Sequence, residues 1–259
     1  MHILLTNDDG ISALGLQALY QTLSENEEVV VVAPDQEKSA TGHGITLHHP
    51  IRVTERLLTN GKIGYAVSGT PVDCIKLAFL EILNKKPDIV ISGINRGANL
   101  GVNINYSGTA AAAREAALYR IPAIAVSIQG QQEGYFHEAA RYVSRLSSEI
   151  LKKGIPPLTF LNVNFPAMPL SKIAGVRVCR HGLSFPAEYL DRRKDPRGKI
   201  YYWHGCDFKN MEDDLSIDSA AVDKAFISIS PIKCDLTDYK MIDELESWDS
   251  LNDPVTKGV

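Results

Sequence analysis

The feature that most constrains this chain is a rhythm. Over the first 165 residues, short apolar runs rich in Val and Ile alternate with stretches whose apolar residues recur at helical spacing. Residues 3–6, 29–33, 65–67, 88–92, 123–127 and 160–163 read as buried strands, and residues 14–23, 72–83, 110–118 and 136–151 read as helices. Strands separated by helices must be joined by crossovers. The rhythm therefore predicts an α/β fold, a Rossmann-like, mostly parallel sheet with helices on both faces. In such sheets ligands bind at the loops that follow the C-terminal strand ends. Those loops are residues 7–10, 34–46, 68–71 and 93–109.

After Pro166 the rhythm breaks. A basic stretch, Arg192-Arg193-Lys194-Asp195-Pro196-Arg197-Gly198, precedes aromatic and β-branched runs at 200–203 and 225–229, which read as hairpins or an extended arm. Asp235-Leu236-Thr237-Asp238 then caps a terminal helix expected at 239–248. The expectation is an α/β core over 1–165 and an extension over 166–259 within the same domain, the extension serving oligomerisation. The basic stretch reads as a solvated face, or else as part of a site closure or an interface.

Charge narrows the partners. The chain carries 27 basic and 31 acidic side chains, net −4, and residues 1–45 alone hold seven acids against one lysine. Polymeric nucleic acid is a poor partner for such a chain, because phosphate neutralisation supplies that affinity. Small anions stay open if local groups or a metal provide positive charge. No apolar run approaches the length of a membrane-spanning helix, and the first residues lack the basic start of a secretory leader. Four scattered cysteines (Cys74, Cys179, Cys206, Cys234) without a CxxC pattern point to a reducing, cytoplasmic setting.

Three constellations fall in the strand-end loops. Thr6-Asn7-Asp8-Asp9-Gly10 places two adjacent carboxylates at a strand end, where they repel each other and a divalent cation is the usual remedy. The plain alternative is an Asx-turn with Asp9 capping the next helix. The second loop, 34–46, holds Ser39, a candidate metal ligand or phosphate donor, and His43 between two glycines. His43 could touch a ligand, act as acid or base, or be merely solvated. The third, 92–109, holds Asn95, Asn99, Asn103 and Asn105 among four glycines and runs into an alanine-rich helix. Carboxamide oxygens suit hard cations. Ser107-Gly108-Thr109 stands where a helix N-terminus favours an anion. Ser68-Gly69-Thr70-Pro71 reads instead as a structural cap, with Thr70 at N-cap, Pro71 at N1 and Asp73 at N3.

Several chemistries fail on spacing. There is no GxGxxG after the first strand, no P-loop and no Gly-x-Ser-x-Gly elbow. Asp8 and Asp9 are adjacent, whereas aspartyl-phosphate phosphatases need a one-residue gap. A phospho-receiver needs a third acid where this chain has Ser68-Gly69-Thr70.

Asn7-Asp8-Asp9-Gly10, the loop from Ser39 to Thr46, the stretch from Ser92 to Gly101 and Tyr106-Ser107-Gly108-Thr109 together resemble the SurE survival-protein family. The resemblance runs near full length, through Asp191-Arg192-Arg193 and Ser228-Ile229-Ser230-Pro231, and is most specific over the first 130 residues. It implies a metal-dependent phosphatase of nucleoside 5′- and 3′-monophosphates, with short polyphosphate as a secondary substrate. It implies that Asp8, Asp9, Ser39 and Asn95 hold one divalent cation. All four are hard oxygen donors, which favours Mg²⁺ or Mn²⁺. It further implies substrate phosphate near Asn99 and Ser107-Gly108-Thr109, and a homodimer or homotetramer built with the C-terminal elements. Asp8 and Asp9 are then the catalytic pair, with His43 a candidate for leaving-group contact. Two rivals stand beside the enzyme: a non-catalytic nucleotide- or phosphate-sensing module, and a phosphoacceptor domain carrying phosphate on Asp8 or Asp9.

Overall fold

In a computed structural model of the chain, which describes residues 1–130, 134–183, 187–207 and 213–248, the apolar runs come together in one nine-stranded sheet. Its strands are β1 (His2–Thr6), β2 (Glu28–Pro34), β3 (Val53–Leu57), β4 (Ile63–Val67), β5 (Ile89–Arg96), β6 (Ala123–Ile128), β7 (Thr159–Phe165), β8 (Gly175–Val178) and β11 (Phe226–Lys233). The spatial order is β3-β4-β2-β1-β5-β6-β7-β11-β8. The six strands from β4 through β2, β1, β5 and β6 to β7 run parallel. β3 joins β4 antiparallel at one edge, and β11 joins β7 antiparallel toward the other.

Period-2 alternation buries both faces. Ile3 and Leu5 of β1 pack with α1 (Leu14–Leu23) and α4 (Phe136–Lys153), while Leu4 packs with α2 (Pro71–Leu77) and α3 (Gly108–Leu118). α4 shows why these segments are helical. Its buried residues Phe136, Ala139, Ala140, Val143, Ser147 and Ile150 form one stripe, Lys152 and Lys153 sit favourably at the dipole's C-terminal end, and Gly154 ends it at φ 75°. α3 is of another kind. Its buried face is almost entirely methyl groups: Ala110, Ala111, Ala112, Ala113, Ala116 and Ala117.

The chain runs outward from β1 through β2 to β4, then crosses back and runs through β5 to β7 on the other side of β1. The order therefore reverses between β1 and β5, and a crevice opens there above the C-terminal strand ends.

The structure departs from the sequence reading in several places, among them β5, which runs on through Asn95 and Arg96 where a loop from residue 93 is expected, and β8, which has no counterpart in that reading. β3 has no counterpart in it, because all five residues are exposed and carry no buried apolar signal. The helix expected over 72–83 is α-helical only to Leu77 and widens into a π-type turn over Ala78–Ile82. The run at 225–229 lies in β11 within the main sheet, whereas the run at 200–203 does form a hairpin. That hairpin pairs β9 (Ala187–Lys194) with β10 (Ile200–Asp207) and stands apart from the main sheet. The terminal helix (Tyr239–Glu246) ends two residues before its expected limit and is capped by Asp238, which accepts from the Lys240 and Met241 amides. Parts of the 166–259 extension, residues 184–186, 208–212 and 249–259, lie outside the described residues.

Candidate active site

The acid pair sits in the loop leaving β1, at the crevice. Asn7, not Asp9, makes the turn. Its carboxamide donates to the Gly10 carbonyl at 2.9 Å and accepts from the Gly10 amide at 3.2 Å. Gly10 adopts φ 98°, a left-handed conformation open to glycine. Asp9 does not cap α1, whose N-cap is Ala13 with no side-chain bond. The helix-cap explanation for Asp9 is thereby removed.

Asp8 is 4% exposed and lies beneath the start of α3. The Thr109 hydroxyl donates to Asp8 Oδ1 at 2.5 Å. Gly108 makes room for the carboxyl: a Cβ there would lie 2.7 Å from Asp8 Cβ and 2.9 Å from Oδ2. Ser107 is the N-cap of α3, its hydroxyl accepting from the Ala110 amide at 3.1 Å. The three consecutive residues thus cap the helix, admit the acid and bind it.

Both carboxyls are unsettled when alone. Burial pushes Asp8 up from the ordinary carboxylate value, against the opposing bond from Thr109. Asp9 is pushed up to about 6, first by burial and then by the neighbouring Asp8 charge, with the Arg96 backbone amide opposing. A bound cation favours the ionised form of both. Among the described residues no three His, Cys, Asp or Glu side chains gather as a metal-binding group.

Two backbone links tie neighbouring segments to the acid pair. The Lys38 amide, one residue before Ser39, donates to the Asp8 carbonyl at 2.7 Å. The Arg96 amide, one residue after Asn95, bonds Asp9. Ser39 is exposed and its hydroxyl donates to Glu37 Oε1 at 2.6 Å. Asn95 donates through Nδ2 to the Gly97 carbonyl at 2.7 Å.

The remaining candidates are more committed. His43 Nε2 lies 2.8 Å from Glu115 Oε2, and its Nδ1 is buried without a partner among the described residues. Lys76 meets the other Glu115 oxygen at 2.7 Å. Burial pushes the Glu115 carboxyl up, but His43 and Lys76 together draw it below its ordinary value. Around His43, the Gly42 amide bonds the Tyr106 carbonyl, Thr70 bonds the Gly44 carbonyl, and Thr46 bonds Asp73. The ring therefore pins the Ser39-bearing loop to α2 and α3. Asn99 Nδ2 donates to Ser127 Oγ at 2.8 Å, its amide donates to Asn164 Oδ1 at 2.8 Å, and its carbonyl accepts from Asn162 at 2.8 Å. Thr70 and Asp73 form the expected capping box.

Sequence reasoning missed the second layer. Asp218, fully buried, accepts from the Gly101 amide at 2.9 Å and the Gly182 amide at 3.0 Å, tying the C-terminal segment to the asparagine-rich loop. Asn162, Asn164 and Ser127 hold Asn99 of that loop from the sheet, and Glu115 of α3 holds His43 of the 34–46 loop. The Asn-x-Asn of β7, polar residues on one face of a buried strand, is a signal that could have been used.

The sequence matches the family described as survival protein SurE over residues 3–187. A protein of Desulfatibacillum aliphaticivorans named 5′-nucleotidase SurE is 48% identical over 248 residues, spanning 96% of this chain and 98% of that one. One of Syntrophobacter fumaroxidans with the same name is 47% identical, spanning 96% and 99%. The crystal structure of a SurE protein from Aquifex aeolicus superposes with a TM-score of 0.83 at 37% identity, covering 97% of this chain and 99% of that one.

Proposed function

The chain belongs to the SurE family, and on that premise we propose that it is a 5′-nucleotidase, releasing phosphate from nucleoside monophosphates. The observation that carries this reading is the seating of Asp8 beneath the Ser107-Gly108-Thr109 turn, at the point where strand order reverses. A carboxylate pair and a helix N-terminus then converge on one spot, the first suited to a cation and the second to a phosphate.

Asp8, Asp9, Ser39 and Asn95 would hold the cation. Their donor atoms are two carboxylates, a hydroxyl and a carboxamide, and the mutual repulsion of the acids fits a divalent ion such as Mg²⁺ or Mn²⁺. When bound, that ion supplies charge neutralisation at the phosphate and acidifies water. The Gly108 and Thr109 amides hold the Asp8 carboxylate, and the N-terminal dipole of α3 behind them favours the phosphate as negative charge builds on it. Asp8 is the fixed member of the pair, bonded by Thr109, and Asp9, half-buried, is the member we assign to orient water and accept its proton. Water oxygen bonds to phosphorus, the bond from phosphorus to the ester oxygen breaks, and that oxygen takes the proton Asp9 accepted and leaves as nucleoside hydroxyl. Asn99 and His43 act by fixing the two loops, through Ser127 and Glu115.

Nucleoside 3′-monophosphates and short polyphosphate belong to the same reading, since the phosphate contacts do not depend on the ester. So does assembly as a homodimer or homotetramer, which the exposed Leu190, Tyr201, Tyr202 and Trp203 of the free-standing hairpin support. A cytoplasmic location accords with the free thiols of Cys74, Cys179 and Cys234. Among the described residues no helix is long and apolar enough to cross a membrane.

The test is to strip divalent ions, add back Mg²⁺ or Mn²⁺, and follow phosphate release from nucleoside monophosphates. Metal-restored hydrolysis that Asp9→Asn abolishes is the expected result. An Asp9→Asn protein that keeps full activity overturns the assignment. Tight nucleotide binding with no phosphate release would identify a sensor.

A further inference from the structure

Resting on the nucleotidase reading, we infer that the cleft beside Asp9, on the α1/α4 side of the sheet, receives the base and sugar of the nucleotide. Asp8 turns to α3, where Gly108 and Thr109 close over it. Asp9 instead lines a cleft of about 290 Å³, together with Ser12, Ala13, Leu14, Arg96 and Phe136. The two adjacent acids thus face different neighbours, one a phosphate-type helix start and the other an open cleft.

The lining fits a nucleoside. Ser12 and Ala13 form the turn into α1 and line the cleft with small side chains. Leu14 is 50% exposed although it is a large apolar side chain on a helix, and a base stacked on it would cover it. Arg96 borders the same space and its charge reaches Asp9; arginine is a side chain suited to stack on an aromatic plane. The Ser12 hydroxyl is available to ribose or base. In size the cleft falls at the small end of ligand sites, enough for one nucleoside and too little for a polymer. Position carries the argument furthest. A phosphate held at the start of α3 and a nucleoside held beside Asp9 place the bond to be broken between them, at the acid pair. The cleft is then the specificity element of the enzyme.

The experiment compares AMP with ribose 5-phosphate, which keeps the phosphate and sugar but lacks the base. It uses Leu14→Ala, which removes the apolar contact, and Ser12→Trp, which fills the cleft. Both positions are exposed, so the fold is expected to survive, and thermal melting checks this. The ratio of kcat/KM for AMP to that for ribose 5-phosphate should fall at least tenfold in Ser12→Trp and several-fold in Leu14→Ala. Calorimetric titration with adenosine, which needs no catalysis, should show binding weakened at least tenfold in Ser12→Trp. If AMP is hydrolysed and the ratio stays within twofold of the parent in both folded variants, the cleft assignment is wrong. If no phosphomonoester is hydrolysed but adenosine binding is lost in Ser12→Trp, the nucleotidase reading fails while the cleft stands. If neither hydrolysis nor adenosine binding is found, both fall.

Discussion

Asp218 offers the sharpest test of how the site is held. Its carboxylate is fully buried and accepts from three backbone amides, Gly101, Gly182 and Ser219, at 2.9, 3.0 and 2.9 Å. The Gly101 and Gly182 amides are buried, and a Cβ on Gly101 would lie 3.2 Å from the Gly182 carbonyl oxygen, so the two segments meet across this one side chain. Replacing Asp218 with Ala strands two buried donors. Each stranded donor costs about 1–3 kcal/mol, and a hydrogen bond to a charged acceptor contributes about 1.5–3 kcal/mol. The third bond, at Ser219, is more exposed and adds little. Asp218→Ala should therefore lose about 4 kcal/mol, a large part of the roughly 5–15 kcal/mol that keeps a protein folded. Asp218→Asn keeps one carbonyl oxygen and should lose about half as much. Urea unfolding followed by circular dichroism and tryptophan fluorescence measures both, with coincident transitions as the check on cooperativity. An Asp218→Ala protein within about 1 kcal/mol of the parent would refute the claim that this carboxylate joins the C-terminal segment to the asparagine-rich loop.

Two further predictions concern α3. Glu115 titrates below its ordinary value in the folded protein, so its contribution is present above the unfolded value of about 4.3 and is lost as pH falls through the folded value. The parent's advantage over Glu115→Gln, about 2 kcal/mol at neutral pH, should shrink on acidification below about pH 4. Urea midpoints across pH follow it, and a gap that widens in acid contradicts the ion cluster. Gly108→Ala puts a methyl 2.7 Å from Asp8 Cβ, and Asp8, buried and bonded to Thr109, must swing away. Phosphate release from AMP should fall on the order of 100-fold in kcat/KM, about 2.7 kcal/mol. Undiminished turnover would show that Asp8 need not hold its position.

What the sequence disclosed, and what it hid, follows the range of the interactions. Buried parallel strands such as residues 3–6 and 89–92 are legible because every residue is apolar or small and the loops after them are not. The capping box at Thr70 and Asp73 is legible because its partners lie three residues apart. The acid pair stands out because two carboxylates beside a glycine have no cheap local explanation. Asp218 is bonded across 117 residues, Glu115 across 72 and Asn164 across 65. Each is an isolated polar residue whose purpose exists only once the sheet has formed. β3 was invisible for the opposite reason: an exposed edge strand is specified by pairing with β4, not by burial.

The methyl-lined face of α3 has a mechanical consequence. Leucine or methionine can accommodate a shift in a neighbouring element by changing rotamer, so helices seated on them have some play. Alanine has no such torsion, and a close-packed interior absorbs even one added methylene poorly. The height of the α3 N-terminus above the strand ends is thus set by bond lengths and contact radii along Ala110, Ala112, Ala113 and Ala116. Positional tolerance at Ser107–Thr109 is inherited from that seating. It costs no side-chain entropy on folding, and the helix start arrives at the acids already aligned, like a part machined to its gap without a shim.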